Sequence, residues 1–334
     1  MLRQSIYYSC WRHARSKYVT PPMPSRRFRQ LVKSLLPPIL ADFARSGKKT
    51  IQLPGWEYAP QGWATKSPLL KGWNIETAVA VQVERFKLYQ SALGATRPVD
   101  PISSRHHGFM SYAYVLALAS RKNTSVSLLD YGGGIGYLYL ISKALFPEVQ
   151  LDYYCYDLPL FREAGRKLLP HAKFPESLEE CINRKYDAVI SIGSLLYVEN
   201  WKETLTRLCD AANSYLYVTL PVIEDAGSYV ALWRLKPHSW PLQSSTPESE
   251  CLAWILNRAE LMNCIAGTGM ELVREFALGE MVIHNAPVQP EAKAMGFLFS
   301  PRSSEVKSER RTMSGYLDIA RSLGACKSPS TLCS

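Results

Sequence analysis

One short run constrains this chain more than any other. Residues 126–136, VSLLDYGGGIG, pass from an apolar stretch straight into a glycine-rich turn, and a second apolar stretch, YLYLISKALF, follows at once. An apolar run bounded by glycines and followed by helical spacing is a strand, a tight turn and a helix. From residue 126 onward this alternation repeats, and it signals a parallel α/β sheet. The expected strands are 126–130, 150–156, a short one near 172–174, 186–192 and 215–220, with a late pair at 271–278 and 295–300. Helices are expected at 136–146, 160–169, 177–184, 201–212 and, after a long insertion, 251–266. Crossovers between the parallel strands should be right-handed.

Glycines at a strand-to-helix turn allow a ligand to approach the backbone closely, and open α/β sheets bind ligands at the carboxyl ends of their strands. Several nucleoside cofactors use such a turn, and spacing separates them. A dinucleotide site needs G-x-G-x-x-G, yet counting from Gly132 the sixth position is Tyr137. The pattern present is D-x-G-x-G-x-G, built from Asp130, Gly132, Gly134 and Gly136. S-adenosylmethionine has no phosphate to cradle but carries an ammonium group, and Asp130 suits that cation directly or through water. A second acid, Asp157, ends the next strand in YYCYDLP. It can accept both ribose hydroxyls of a nucleoside, or it can serve as the N-cap of the helix that Pro159 starts. The fourth strand ends in SIGSLLY. There Gly193, Ser194 and Leu195 either border the methionine part of the cofactor or make a plain strand–helix turn. The adenine contact falls near Glu176, Ser177 and Leu178.

Outside this region the chain changes character. Residues 1–50 contain eleven Lys or Arg and a single acid, Asp42, so they carry the whole formal charge of +10. Such an arm is attracted to anionic surfaces, membrane or nucleic acid, unless it is a solvated tail. Within it, 28–46 has roughly helical apolar spacing broken by Pro37 and Pro38. Residues 51–125 hold Trp-rich pieces and two helical stretches, about 75–92 and 105–120. Trp56, Tyr58, Trp63 and Trp73 suit either a lid over an acceptor or ordinary packing. Residues 126–300 form the cofactor domain and 301–334 a polar tail. The eight cysteines form no C-x-x-C pair, so zinc ribbons, redox dithiols and metal sites have no support. No apolar run reaches the roughly 18 residues of a membrane span, and the start lacks a signal peptide's apolar region.

These motifs resemble the class I S-adenosylmethionine-dependent methyltransferases. More narrowly, LLPPIL, LLDYGGGIGYLY, YDLP, SIGSLLYVENW and GFLF resemble a family of bacterial methyltransferases associated with surface-polysaccharide genes. The resemblance implies a seven-stranded Rossmann-like sheet with an N-terminal helical extension, and S-adenosylmethionine as cofactor. It implies a cytoplasmic enzyme, with peripheral membrane contact possible through the basic arm. The leading expectation is O-methylation of a glycan or small-molecule acceptor. The competing readings are a nucleic-acid methyltransferase and a non-catalytic partner protein of the same fold. Against the first, no Asn/Asp-Pro-Pro-Tyr/Phe motif ends strand four. A hydroxyl acceptor benefits from a base, and the histidines favoured for it are His238, in the post-strand-five insertion, and His284, between the last strands.

Overall fold

The computed structural model describes residues 56–93, 104–121, 124–235, 249–287 and 292–302. All lie within the unit Pro54–Ser334. The expected arm 1–50, His238 and nearly all of the tail from 301 lie outside the described residues.

Four parallel strands form the centre: β2 (Ser125–Tyr131), β3 (Gln150–Tyr156), β4 (Tyr186–Ile192) and β5 (Ala212–Ile223), in the order β3-β2-β4-β5. Beside β5 runs β10 (Ala292–Pro301), antiparallel, and beside that β8 (Met270–Met281), antiparallel again. Where a short strand was expected near 172–174, a single parallel bridge joins Tyr154 and Lys173. Six of the seven strands expected from the sequence are thus present, and the seventh is reduced to this bridge. Alternation along the strands sorts side chains to two faces. Leu128, Ala188, Ile190, Tyr217 and Leu298 enter one core. Their neighbours Leu129, Val189, Leu216, Val218, Phe297 and Phe299 enter the other.

Helices cover both faces. On the first lie α1 (Glu76–Leu93), α2 (Ser104–Ser120), α3 (Tyr137–Leu145) and α4 (Pro159–Leu168). Buried hydroxyl pairs tie α2 down: Tyr112 to Ser142 and Tyr217 to Ser111, each at 2.6 Å. The short α5 (Leu178–Ile182) is followed on the second face by α6 (Trp201–Ala211) and α7 (Arg258–Ala266).

The sequence reading needs one correction. Residues 251–266 are not one helix. Their first part belongs to β7 (Ser249–Asn257), and α7 begins only at Arg258. Asn257 caps it, its Oδ1 accepting from Glu260 N at 3.0 Å. Tertiary pairing overrides helical spacing here. Strand β7 is antiparallel to β6 (Tyr229–Leu235), which pairs with β1 (Trp56–Tyr58), which in turn pairs with β9 (Ile283–His284). The end of β7 joins β5 through Val222–Leu256 and Ile223–Asn257. The insertion after strand five and the Trp-rich segment thus extend the sheet from the carboxyl end of β5, in the order β5-β7-β6-β1-β9. Among the described residues no helix is long and apolar enough to cross a membrane.

Candidate functional site

A cavity of about 800 Å³ opens above the carboxyl ends of β2, β3 and β4. This is where an open α/β sheet takes its ligand, and the volume lies in the range of roughly 300–1,000 Å³ typical of small-molecule sites. One wall is the glycine loop. Gly132 N donates to Tyr156 O at 2.7 Å, extending the β2–β3 pairing by one bond. Gly132 and Gly134 have φ of +72° and +63°, a left-handed conformation that side chains disfavour. A Cβ at Gly132 would overlap Ser194, and one at Gly134 would overlap Gln82 Oε1. Gly133 meets a different obstacle, because a Cβ there would strike the Asp130 carboxylate. Gly136, at φ +89°, is the left-handed N-cap of α3.

The structure sets Asp130 behind this loop, away from the cavity wall. Its side chain is 1% exposed and accepts a hydrogen bond from the Tyr153 hydroxyl. Burial pushes its carboxyl up to about 7; the Tyr153 bond works against that shift and the nearby Asp157 charge adds to it. Asp130 therefore braces the glycines from beneath.

Asp157 lies on the wall. Its Oδ2 accepts from Gly134 N and its Oδ1 from Leu158 N, both at 2.6 Å. One carboxylate thus ties the end of β3 to the loop after β2. Burial raises its pKa, while the two backbone N–H groups and Arg162 lower it. Each oxygen accepts one of these bonds and keeps further acceptor capacity. Opposite, Gly193 N donates to Thr219 Oγ1 at 2.8 Å, and Ser194 Oγ donates to Tyr131 O at 2.6 Å. Gly193 and Ser194 line the cavity, whereas Leu195 is fully buried and off the wall. Of the region foreseen for adenine, Glu176 lines the cavity. Ser177 instead caps α5, accepting from Glu180 N at 3.1 Å. Arg162, 7% exposed, fixes this stretch by donating to Pro175 O at 2.8 Å and to Glu176 O.

Some wall residues carried no signal in the sequence. Gln82 comes from α1, and its buried Oε1 has no hydrogen-bond partner in the structure. A lone Gln on a helix is invisible to motif reading. Glu250 and Leu252 arrive on β7, which reads as helix in sequence. Trp63 and Trp73 line the cavity, while Trp56 and Tyr58 belong to β1. His284 lies on β9, paired with Glu57 of β1, and is absent from the cavity wall.

Comparison with known proteins follows this geometry. No curated protein matches the sequence. Among solved structures, the chain is similar to an S-adenosylmethionine-dependent methyltransferase from Clostridium acetobutylicum ATCC 824. That match has a TM-score of 0.41 and 10% identity, over 66% of this chain and 99% of the other. It is also similar to a magnesium protoporphyrin IX methyltransferase from Synechocystis PCC 6803, solved with S-adenosylhomocysteine. The figures there are TM-score 0.39 and 14% identity, over 67% and 95% of the two chains. Residues 104–275, just over half the chain, match a family model described as a methyltransferase domain. That match spans the glycine loop, Asp157 and the β4 turn, and the chain belongs to the methyltransferase-domain family.

Proposed function

We propose that this protein is an O-methyltransferase that uses S-adenosylmethionine to methylate a glycan or related small molecule. The observation that carries the donor assignment is Gln82 Oε1, a buried acceptor left without a donor beside Gly134. Burying such a group unpaired is costly, and the ammonium of the cofactor's amino acid end supplies the missing donors. Asp157, bonded to the N–H of the same Gly134, retains acceptor capacity for ribose hydroxyls. The residues therefore fit the group.

When bound, S-adenosylmethionine supplies a methyl already activated on a sulfonium. The chain's own task is alignment. Gly132 and Gly134 admit the donor against the backbone, Asp157 orients the ribose, and Gly193 and Ser194 border the methionine arm. Asp130 keeps the loop in register from behind. His238 remains the proposed base for a hydroxyl acceptor.

The same reading assigns the enzyme to surface-polysaccharide synthesis in the cytoplasm. It divides the chain into arm 1–50, lid region 51–125, cofactor domain 126–300 and tail 301–334. The arm's net +10 supports contact with an anionic membrane surface. Calorimetric titration of the full chain with S-adenosylmethionine and with NAD tests the donor assignment. A single saturable site for the first and no heat from the second is expected. Equal or tighter binding of NAD would refute it.

A further inference from the structure

The cavity is wider than its donor half. Its far side is built from β7, the segment 63–73 and Tyr197. Three backbone and side-chain bonds fasten that segment to β7: Glu250 N to Leu69 O at 2.6 Å, Gly72 N to Glu250 O at 3.1 Å, and Ser249 Oγ to Gly72 O at 2.7 Å. They fix Trp73 beside Tyr197, ring centroids 5.6 Å apart and nearly perpendicular. Trp63 packs on Trp254 at 5.9 Å. The result is an aromatic-walled chamber, closed further by Leu70 and Leu252.

Within this chamber, among the described residues, one carboxylate is present: Glu250, whose side chain is 5% exposed. Its Oε1 accepts from Arg234 Nε at 3.1 Å, directly across the β6–β7 pair. Arg234 also reaches Glu57 Oε2 at 2.5 Å. Glu57 is about one-third exposed, so water screens it, while the inner Glu250–Arg234 pair is nearly sealed. A buried carboxylate held in this way is rigid and keeps further acceptor capacity. Trp63, which lines the same cavity, has a buried Nε1 donor with no partner in the structure.

We infer that this chamber is the acceptor subsite, and that it takes a neutral, polyhydroxylated ring such as a pyranose, with Glu250 accepting from its hydroxyls. This rests on the methyl-transfer reading for what the chamber is used for, and deepens it to a ligand class. Aromatic faces suit the C–H faces of a sugar ring, and a fixed carboxylate suits its hydroxyl rim. A cationic acceptor fits less well, because it would approach a carboxylate on which the Arg234 guanidinium is already seated. Glu250 positions the acceptor by accepting from its hydroxyls.

The test uses the full-length protein, with and without S-adenosylmethionine. Methyl pyranosides (glucoside, galactoside, mannoside and rhamnoside) are titrated against tyramine as the amine probe. Tryptophan fluorescence and saturation-transfer NMR report binding. At least one pyranoside should bind saturably. Glu250→Gln and Trp63→Ala should each weaken it about tenfold or more, with cooperative melting and S-adenosylmethionine affinity retained. Loss of a charged acceptor in the first, and of an aromatic face with its N–H donor in the second, predicts that size, and two independent variants guard against misfolding of either. Preference for tyramine, binding of no pyranoside, or pyranoside affinity unmoved in both variants overturns the inference. A chain that binds pyranosides through Glu250 but ignores S-adenosylmethionine keeps this subsite and overturns the donor assignment instead.

Discussion

Asp130 heads the glycine motif, yet it is buried beneath Gly133 and bonded by Tyr153. Gln82 belongs to no motif, yet its orphaned oxygen faces the loop. Gln82→Leu should therefore weaken S-adenosylmethionine binding by about tenfold, the cost of one lost hydrogen bond to a charged group, as read by calorimetry. Unchanged affinity would remove Gln82 from the site. Asp130 makes a different prediction, about stability against pH. Its carboxyl is raised from 3.8 to about 7, chiefly by burial. Between those values the folded protein holds a proton that the unfolded chain has released, so stability falls as pH rises through this window and levels off above it. Asn at 130 cannot titrate. The melting temperature of the wild type should thus drop by several degrees between pH 5 and pH 8 relative to Asp130→Asn. Parallel profiles for the two proteins would show that Asp130 is not the group responsible.

Among the elements, the alternating strands were the most legible. The runs at 126–130, 150–156 and 186–192 are bounded by glycine, proline or acid, and each lies within an observed strand. The stretch 251–266 was not legible by period. CLAWILN is apolar enough to be a buried strand or a buried helix, and only its pairing with β6 decides. A local signal did exist: Asn257 and Glu260 have the spacing of a capping box, which marks a helix start at 258. The strand β6 and the joint between β7 and segment 63–73 depend on contacts far apart in sequence, such as Ser249 with Gly72. No short-range pattern encodes them. Removing that fully buried hydroxyl leaves Gly72 O without it, so Ser249→Ala should cost roughly 1 kcal/mol. Scanning calorimetry should register this as a fall in melting temperature of roughly 2–4 °C. No change would mean that the joint does not hold segment 63–73.

At the scale of the whole molecule, the donor half and the far half of the cavity have separate origins. The donor half is local to residues 130–194, completed by Gln82 from the N-terminal helical layer. That is why the glycine loop, Asp157 and the β4 turn could be read from spacing. The far half is assembled from residues 63–73 and 249–252, brought together by the strands that extend the sheet beyond β5. Aromatic content hinted at it, but nothing in the sequence joined Trp63 to Glu250. The central claim is that the cavity between these halves holds S-adenosylmethionine along the glycine loop. Crystals of the full chain grown with S-adenosylhomocysteine test this most directly. Ribose hydroxyls are expected on Asp157 and the ammonium on Gln82 Oε1, with the sulfur facing the chamber of Glu250. Ligand density elsewhere, or a ribose away from Asp157, would contradict it.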